Sequence, residues 1–327
     1  MKKWVLVSLV LIVTSTAYAQ FDSLNMRFVG NWPFGPSYAV AHDSARNLVF
    51  LGSGGGVYIL DASNSEEPVK ISDEIRTRDV VNGLFYDTTS QALYIAAGEA
   101  GLEIWNVSDP FLPVKRGWRD TPGYANNVFV SGSYAYVADG PAGLRVIRIY
   151  QTSPPREIGY YDTPGYAKDV YVSDSCAYVA DVDSGLRVID VSKPWIPKEI
   201  GHWVTQENAN GVSVSGSYAY VGCGERWADI GYLRVIDISI PSDPEEVSHC
   251  CFRDPRGTRA ERVYVSGSYA YVICGRGSPT FGCGLYVVDI SVPSSPRRVG
   301  SYAPYLVEDV CVSGHYAYVA RLAGGTP

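Results

Sequence analysis

The chain has 327 residues, 46% hydrophobic, 19% charged and 13% aromatic, enough to bury a sizeable core and outside the composition of a disordered protein. Its 33 Gly, 20 Pro and 25 Tyr against only 2 Met and 4 His favour strands and tight turns over helices. The formal charge of −7 carries no basic footprint, which argues against nucleic acid or an anionic membrane as partner.

The first residues read as an export signal. Met1, Lys2 and Lys3 form a positive start, Trp4 to Val13 an apolar run, and Ala17, Tyr18 and Ala19 a small-residue cleavage site. The run is shorter than the roughly 20 residues a spanning helix needs, so cleavage after Ala19 is expected, with no transmembrane segment once the signal is removed. No Cys follows it, so a lipoprotein anchor is not indicated. The mature chain is expected to be secreted, at the cell surface or in the periplasm, where disulfides are permissible.

Self-similarity then dominates. The stretch Ser131 to Asp139, SGSYAYVAD, returns at Ser173, Ser215, Ser266 and Ser313, with weaker copies at residues 47–52 and 92–97. The central aromatics are Phe50, Tyr94, Tyr136, Tyr178, Tyr220, Tyr271 and Tyr318, separated by 44, 42, 42, 42, 51 and 47 residues. A second motif follows each of the first six copies, as in GLRVID from Gly185 to Asp190; the last copy has none.

Each repeat reads as four strands, in one case residues 169–172, 176–180, 186–191 and 198–203. Ser-Gly or Ser-Asp pairs supply the first hairpin turn, the motif Asp with Ser and Pro ends the third strand, and Thr-Pro-Gly at Thr121 and Thr163 leads into the next repeat. Alternation in Tyr134-Ala135-Tyr136-Val137 places large rings on one face and smaller groups on the other, so both faces must be covered. Sheets stacked large face against small face around an axis satisfy this. The expected fold is therefore an all-β, seven-bladed β-propeller of four-stranded blades, formed by residues 20–327 as a single domain. Residues 27–32 resemble a fourth strand, and the N-terminal strand is expected to close the last blade, which lacks its third strand. Because the sequence stops at Pro327 where that strand should begin, a truncated reading frame is expected, with a least stable last blade and a lost sorting segment.

The motif Gly185 to Asp190 and its variants at Gly143 and Tyr232 resemble the LVIVD repeat of secreted or cell-surface proteins taken to be β-propellers. The resemblance spans nearly the whole mature chain. It implies fold and location but carries no catalytic residue, since the motif residues are structural. WD-type repeats are a poorer match, because no Trp-Asp pair ends the third strand.

Strands alternate in direction, so the second-to-third and fourth-to-first connections share one face, here called the top. The three lengthened connections, all around the fifth and sixth repeats, lie on it. They contain Arg226, Trp227, Arg253, Arg256, Arg259 and Arg276, with Arg262 close behind. This corner suits a carboxylated or sulfated ligand, through forked Arg donors and a Trp stacking plate; alternatively the arginines pair with local carboxylates and stiffen the loops. A second candidate is the channel mouth, where inner strands begin with Asn126-Asn127, Lys168-Asp169, Asn210-Gly211, Glu261-Arg262 and Glu308-Asp309. Such a ring suits a ligand and equally a water-filled channel.

No catalytic or metal site is expected. The histidines, at 42, 202, 249 and 315, have no metal-binding spacing, and His315 replaces a turn Ser and is expected to be exposed. Asp181-Val182-Asp183 lacks the later carboxylates of a calcium loop and reads as a turn. Residues 52–56 are Gly-rich but join two strands, which gives no phosphate cradle, and Asn106 sits in a glycosylation sequon yet is expected to cap a turn. Of seven cysteines, Cys274 and Cys283 flank the longest loop and are expected to pair; Cys176 and Cys311 are expected as buried thiols.

The resulting expectation is an exported, non-enzymatic recognition or scaffold module without cofactor, engaging a protein or carbohydrate ligand at the cell surface through the top-face loops. The alternative is a hydrolase or lyase acting on an anionic polysaccharide at the top of the propeller.

Overall fold

The structure is a computed structural model describing residues 8–11, 27–30, 36–65, 67–225, 230–253, 258–276, 284–302 and 307–321. Six sheets each contain four consecutive antiparallel strands, ordered from the inside outwards. Blade one comprises Ala39–Asp43, Leu48–Ser53, Gly56–Asp61 and Val69–Arg76; blade two Gly83–Asp87, Ala92–Ala96, Leu102–Asn106 and Val114–Arg119. Blade three comprises Asn127–Ser131, Tyr134–Ala138, Leu144–Arg148 and Arg156–Tyr161; blade four Asp169–Ser173, Cys176–Ala180, Leu186–Asp190 and Lys198–Trp203. Blade five comprises Ala209–Ser215, Tyr218–Cys223, Ile230–Asp237 and Glu245–Arg253; blade six Thr258–Ser266, Tyr269–Arg276, Leu285–Asp289 and Arg297–Tyr302. Successive inner strands pack on one another, and the strand Val307–Ser313 packs between the inner strands of blades six and one. The arrangement is a β-propeller.

The alternation in the repeats is what stacks the blades. Tyr94 of blade two packs against Ala135 and Val137 of blade three, and Tyr136 of blade three against Ala177 and Val179 of blade four. Large faces meet small faces, and burying each such ring contributes about 1.5–3 kcal/mol. The outer strands come close too: a Cβ on Gly159 would lie 2.2 Å from the Pro194 carbonyl oxygen of the next blade, so no larger residue fits there. Polar latches add to this stacking. Thr121 Oγ1 donates to Asp139 Oδ1 and Thr163 Oγ1 to Asp181 Oδ1, each at 2.5 Å, fixing the Thr-Pro-Gly passage to the blade it leads into.

The turns form as their residues dictate. Gly132 and Asp174 adopt positive φ, 58° and 52°, at the first hairpin. Asp190 Oδ1 accepts the Ser192 amide at 2.8 Å, and Asn106 Oδ1 takes the equivalent Ser108 amide at 3.2 Å, so Asn106 does cap its turn. Asp181-Val182 forms a tight turn in which the Ser184 amide donates to the Asp181 carbonyl at 3.0 Å.

One expectation requires correction. Among the described residues there are six antiparallel four-stranded blades, not seven. In the last sector the hairpin Val307–Ser313 and Tyr316–Arg321 carries the strand Ser8–Leu11 in parallel on its outer edge, and Arg27–Gly30 pairs in parallel with that strand. Chain continuity imposes alternating direction only on strands joined by short turns. The last copy is followed by no third-strand motif, so the positions beyond Tyr316–Arg321 are filled from elsewhere in the chain and run parallel. Arg27–Gly30 therefore lies outermost in that sheet without an antiparallel partner. Residues 17–19, where cleavage is expected, and residues 322–327 lie outside the described residues. Among the described residues no helix is long and apolar enough to cross a membrane.

Candidate functional site

The inner strands surround an axial channel, and their first residues build it in layers. Tyr38, Asn82, Asn126, Lys168, Asn210, Glu261 and Glu308 line a cavity of about 130 Å³ at the top end. The residue after each of the last six belongs to the next layer down: Gly83, Asn127, Asp169, Gly211, Arg262 and Asp309. Adjacent strand residues ordinarily face opposite sides of a sheet. Register shifts at 209/211, 260/262 and 307/309 let both members of the pairs in blades five and six and in the last hairpin reach the channel. The polar pairs read from the sequence thus converge as two stacked layers.

The lower layer is a plug. Arg262 crosses the channel to donate from Nη2 to the Asn82 carbonyl at 2.7 Å, and its Nε lies 3.8 Å from Asp309 Oδ1. Asp169 takes the Val212 amide of the next blade at 2.9 Å and the side-chain amide of Asn127, while Asp309 takes the Val40 amide of blade one at 2.9 Å. The two carboxylates therefore staple neighbouring inner strands. Two glycines make room: a Cβ on Gly83 would sit 2.4 Å from Asn127 Oδ1, and one on Gly211 2.7 Å from the Glu261 carbonyl oxygen. Burial raises the pKa of both Asp169 and Asp309, against the pull of Arg262. Burial also opposes the charge on Arg262, but Asp309 and Asp169 outweigh it and raise its pKa.

Above the plug, charges pair along the rim. Lys168 Nζ bonds Glu261 Oε2 and donates to Asn210 Oδ1 at 3.0 Å, and Arg259 holds Glu261 Oε1. Burial lowers the Lys168 pKa. For Glu261, burial acts upward but the charges of Lys168 and Arg259 prevail and lower it. Asn82 Nδ2 donates to the Ala125 carbonyl and Asn210 Nδ2 to that of Asn208, both at 3.0 Å, while Asn126 Nδ2 reaches the Ala167 carbonyl at 3.1 Å. These amides bind backbone, two of them across to the next blade.

The loop arginines separate into groups. Arg262 belongs to the plug and not to the top surface. Arg259 is half-buried and bound to Glu261, as the loop-stiffening reading expects. Arg253 is exposed at the end of blade five's outer strand. Arg276 ends the second strand of blade six, opposite Thr258 in register. Arg226, Trp227, Arg256 and Cys283 lie outside the described residues, so the Cys274–Cys283 pairing concerns a residue beyond them; Cys274 itself is buried.

Below the plug the channel widens into a second cavity of about 490 Å³, reaching Ser44 and Ser313 at the bottom hairpins. Phe85, Phe129, Tyr171 and Tyr264 line its wall with Ser213 and Cys311. Phe85 and Phe129 lie 5.1 Å apart between ring centroids, Phe129 and Tyr171 4.6 Å. Sequence reading missed this aromatic wall, although it stands two residues beyond the polar plug position in four repeats. Cys311, expected as a buried thiol, is buried on this wall, whereas Cys176 is half-buried.

The histidines do not gather. His42 stacks on Tyr318 at 4.6 Å, and burial lowers its pKa to about 4 despite Asp43 beside it. His202 and His249 lie half-exposed on outer strands, 3.2 Å from Glu199 and Glu246, and His315 is exposed in a turn. Among the described residues no three His, Cys, Asp or Glu side chains are grouped to hold a metal ion.

The LVIVD repeat family model matches residues 122–163, 164–205, 207–251, 257–303 and 306–325, more than half of the chain. The chain belongs to the LVIVD-repeat family. The matched LVIVD segments correspond to blades three to six and the closing hairpin, so blades one and two, with Glu103 and Trp105 in the motif, are the divergent ones. No curated protein matches the chain. Among solved structures this LVIVD protein is similar to the computationally designed Ika8 protein, at TM-score 0.60 and 10% identity over 86% of this chain and 79% of that one. It is also similar to the Cps50 (Swd1) β-propeller domain of Myceliophteria thermophila, at TM-score 0.61 and 12% identity over 83% and 86%. At such identity these likenesses concern the fold alone.

Proposed function

We propose that this LVIVD propeller is an exported, non-enzymatic recognition module that presents its top face to an anionic glycan at the cell surface. The observation that carries this reading is the placement of Arg253, which is exposed, and Arg276 at the top ends of strands in blades five and six. Those strands are the extended ones: Glu245–Arg253 and Thr258–Ser266 have nine residues each, against five or six for the corresponding strands of blades three and four. Arg226, Trp227 and Arg256 belong to the same connections in sequence. The plug below supports a surface site, because a ligand entering the mouth meets Arg262 after one layer. Export rests on the signal-like residues 1–19.

The test is a glycan array probed with the purified protein and with the triple variant Arg253→Ala, Arg256→Ala and Arg276→Ala. The reading expects signal on carboxylated or sulfated glycans that the triple variant loses. No acidic glycan retained, or equal retention by both proteins, overturns it.

A further inference from the structure

The lower cavity has a composition unlike the mouth. Four aromatic rings, Phe85, Phe129, Tyr171 and Tyr264, stand on its wall, and the first three form a continuous ring-to-ring arc. At its closed end are two carboxylates, Asp169 and Asp309, and one guanidinium, Arg262, whose Nη2 is turned to the Asn82 backbone. Among the described residues no other Asp, Glu, Lys or Arg lines it, and His42 is neutral at ordinary pH because burial lowers its pKa to about 4. The closed end thus sets two carboxylates, whose pKa values burial raises, against one guanidinium. Its volume of about 490 Å³ lies within the range of small-molecule pockets.

An aromatic wall attracts cations through the negative faces of its rings, and the attraction grows when water is excluded. An ionised carboxylate at the closed end adds an attraction in the same sense. The geometry points to a second binding site, in the lower chamber, for a small organic ammonium ion whose alkyl groups rest on Phe129 and Tyr171 with the Asp169 and Asp309 end above. The chamber opens at the bottom hairpins and the plug separates it from the mouth, so this site is independent of glycan binding at the top.

Choline and its uncharged isostere 3,3-dimethylbutan-1-ol have the same shape and differ in charge, which makes them the probes. In calorimetric or NMR titration of the purified protein, choline is expected to bind at least about tenfold more tightly than the isostere. Phe129→Leu and Tyr171→Leu keep the wall apolar while removing the rings, and each is expected to weaken choline by about five- to tenfold. Equal affinity for the two probes overturns the inference, as does no choline binding up to saturating concentration. Should either Leu variant fail to fold, the comparison of the two probes on the unaltered protein decides alone.

Discussion

Glu103 and Lys115 of blade two form an ion pair at 2.8 Å that reproduces, with the charges exchanged, the Arg187–Glu199 pair of blade four at 3.3 Å. In both blades the third-strand residue after the motif Leu meets the fourth-strand residue two before the equivalent glycines Gly117 and Gly201. Blade three has the Arg145–Glu157 version at 3.8 Å and blade five Arg234–Glu246 at 2.8 Å. These four blades place opposite charges there in either polarity, whereas blades one and six set Lys70 over Tyr58 and Arg298 over Tyr286. Glu103 is fully buried and also accepts from the Arg78 amide at 3.0 Å and from Trp105 Nε1 at 3.2 Å. Lys115→Met is therefore expected to cost about 1–3 kcal/mol in urea unfolding, since the carboxylate keeps other donors. The double variant Glu103→Arg with Lys115→Glu is expected to be more stable than Glu103→Arg alone; equal stability contradicts the exchange.

The plug makes a pH-dependent prediction. Burial raises Asp169 and Asp309 above the ordinary carboxylate value of 3.8, so the folded state holds their protons to higher pH than the unfolded chain. Their contribution to stability is thus fully present below the unfolded value and lost as pH rises through the folded one. Arg262 opposes the loss. Arg262→Met is expected to cost roughly 3–5 kcal/mol at pH 7 by leaving the carboxylates buried with fewer partners. Its deficit relative to the parent is expected to shrink by about 1 kcal/mol or more by pH 5. Denaturant titrations at the two pH values check this, and a deficit that grows on acidification contradicts it.

The Thr latches are separable from the stacking. Thr163→Val preserves shape but removes the 2.5 Å bond to the buried Asp181 carboxylate, which retains the Gly165 amide at 2.8 Å. A loss of about 1–2 kcal/mol is expected, and the same for Thr121→Val at Asp139. A thermal shift indistinguishable from zero for both variants contradicts a stabilising role.

The closing hairpin provides a fourth test. Its strand Tyr316–Arg321 has Ser8–Leu11 on its outer edge, a segment that cleavage after Ala19 removes. In the protein starting at Gln20, amides of Tyr316–Arg321 are expected to exchange with deuterium faster than those of Cys176–Ala180, which lie between two antiparallel partners. Equal protection contradicts the inference.

Fold and site differ in how far the sequence discloses them. The repeat spacing, the Tyr and Val alternation and the turn residues are local signals repeated many times, and they prescribe the stacked four-stranded blades without any knowledge of contacts. In the last sector the closing strand at residues 27–30 was legible and lies outermost as expected, whereas the filling of the third place by Ser8–Leu11, and the parallel direction of both, depend on no turn and escaped. The polar pairs at the channel were visible as residues, yet their division into rim and plug depends on bulges at 209/211, 260/262 and 307/309, which no local composition marks. Arg262 was readable both with its loop neighbours and in the channel pair Glu261-Arg262, and its reach to the Asn82 carbonyl, 180 positions away, decides for the channel. The aromatic wall was legible in principle, as Phe85, Phe129, Tyr171 and Tyr264 recur at one repeat position, but the Tyr-rich second strands masked them.

The central claim, that one face of the propeller recognises anionic glycan, is tested most directly by affinity chromatography on immobilised heparin with charge removed from one face at a time. The top-face variant is Arg253→Ala, Arg256→Ala and Arg276→Ala; the control, with equal loss of charge among exposed residues at bottom turns and outer-strand starts, is Lys193→Ala, Lys198→Ala and Arg297→Ala. The account predicts that the parent and the control are retained to the same salt concentration while the top-face variant elutes in the wash. Identical elution of both variants, or loss of retention in the control alone, would contradict it.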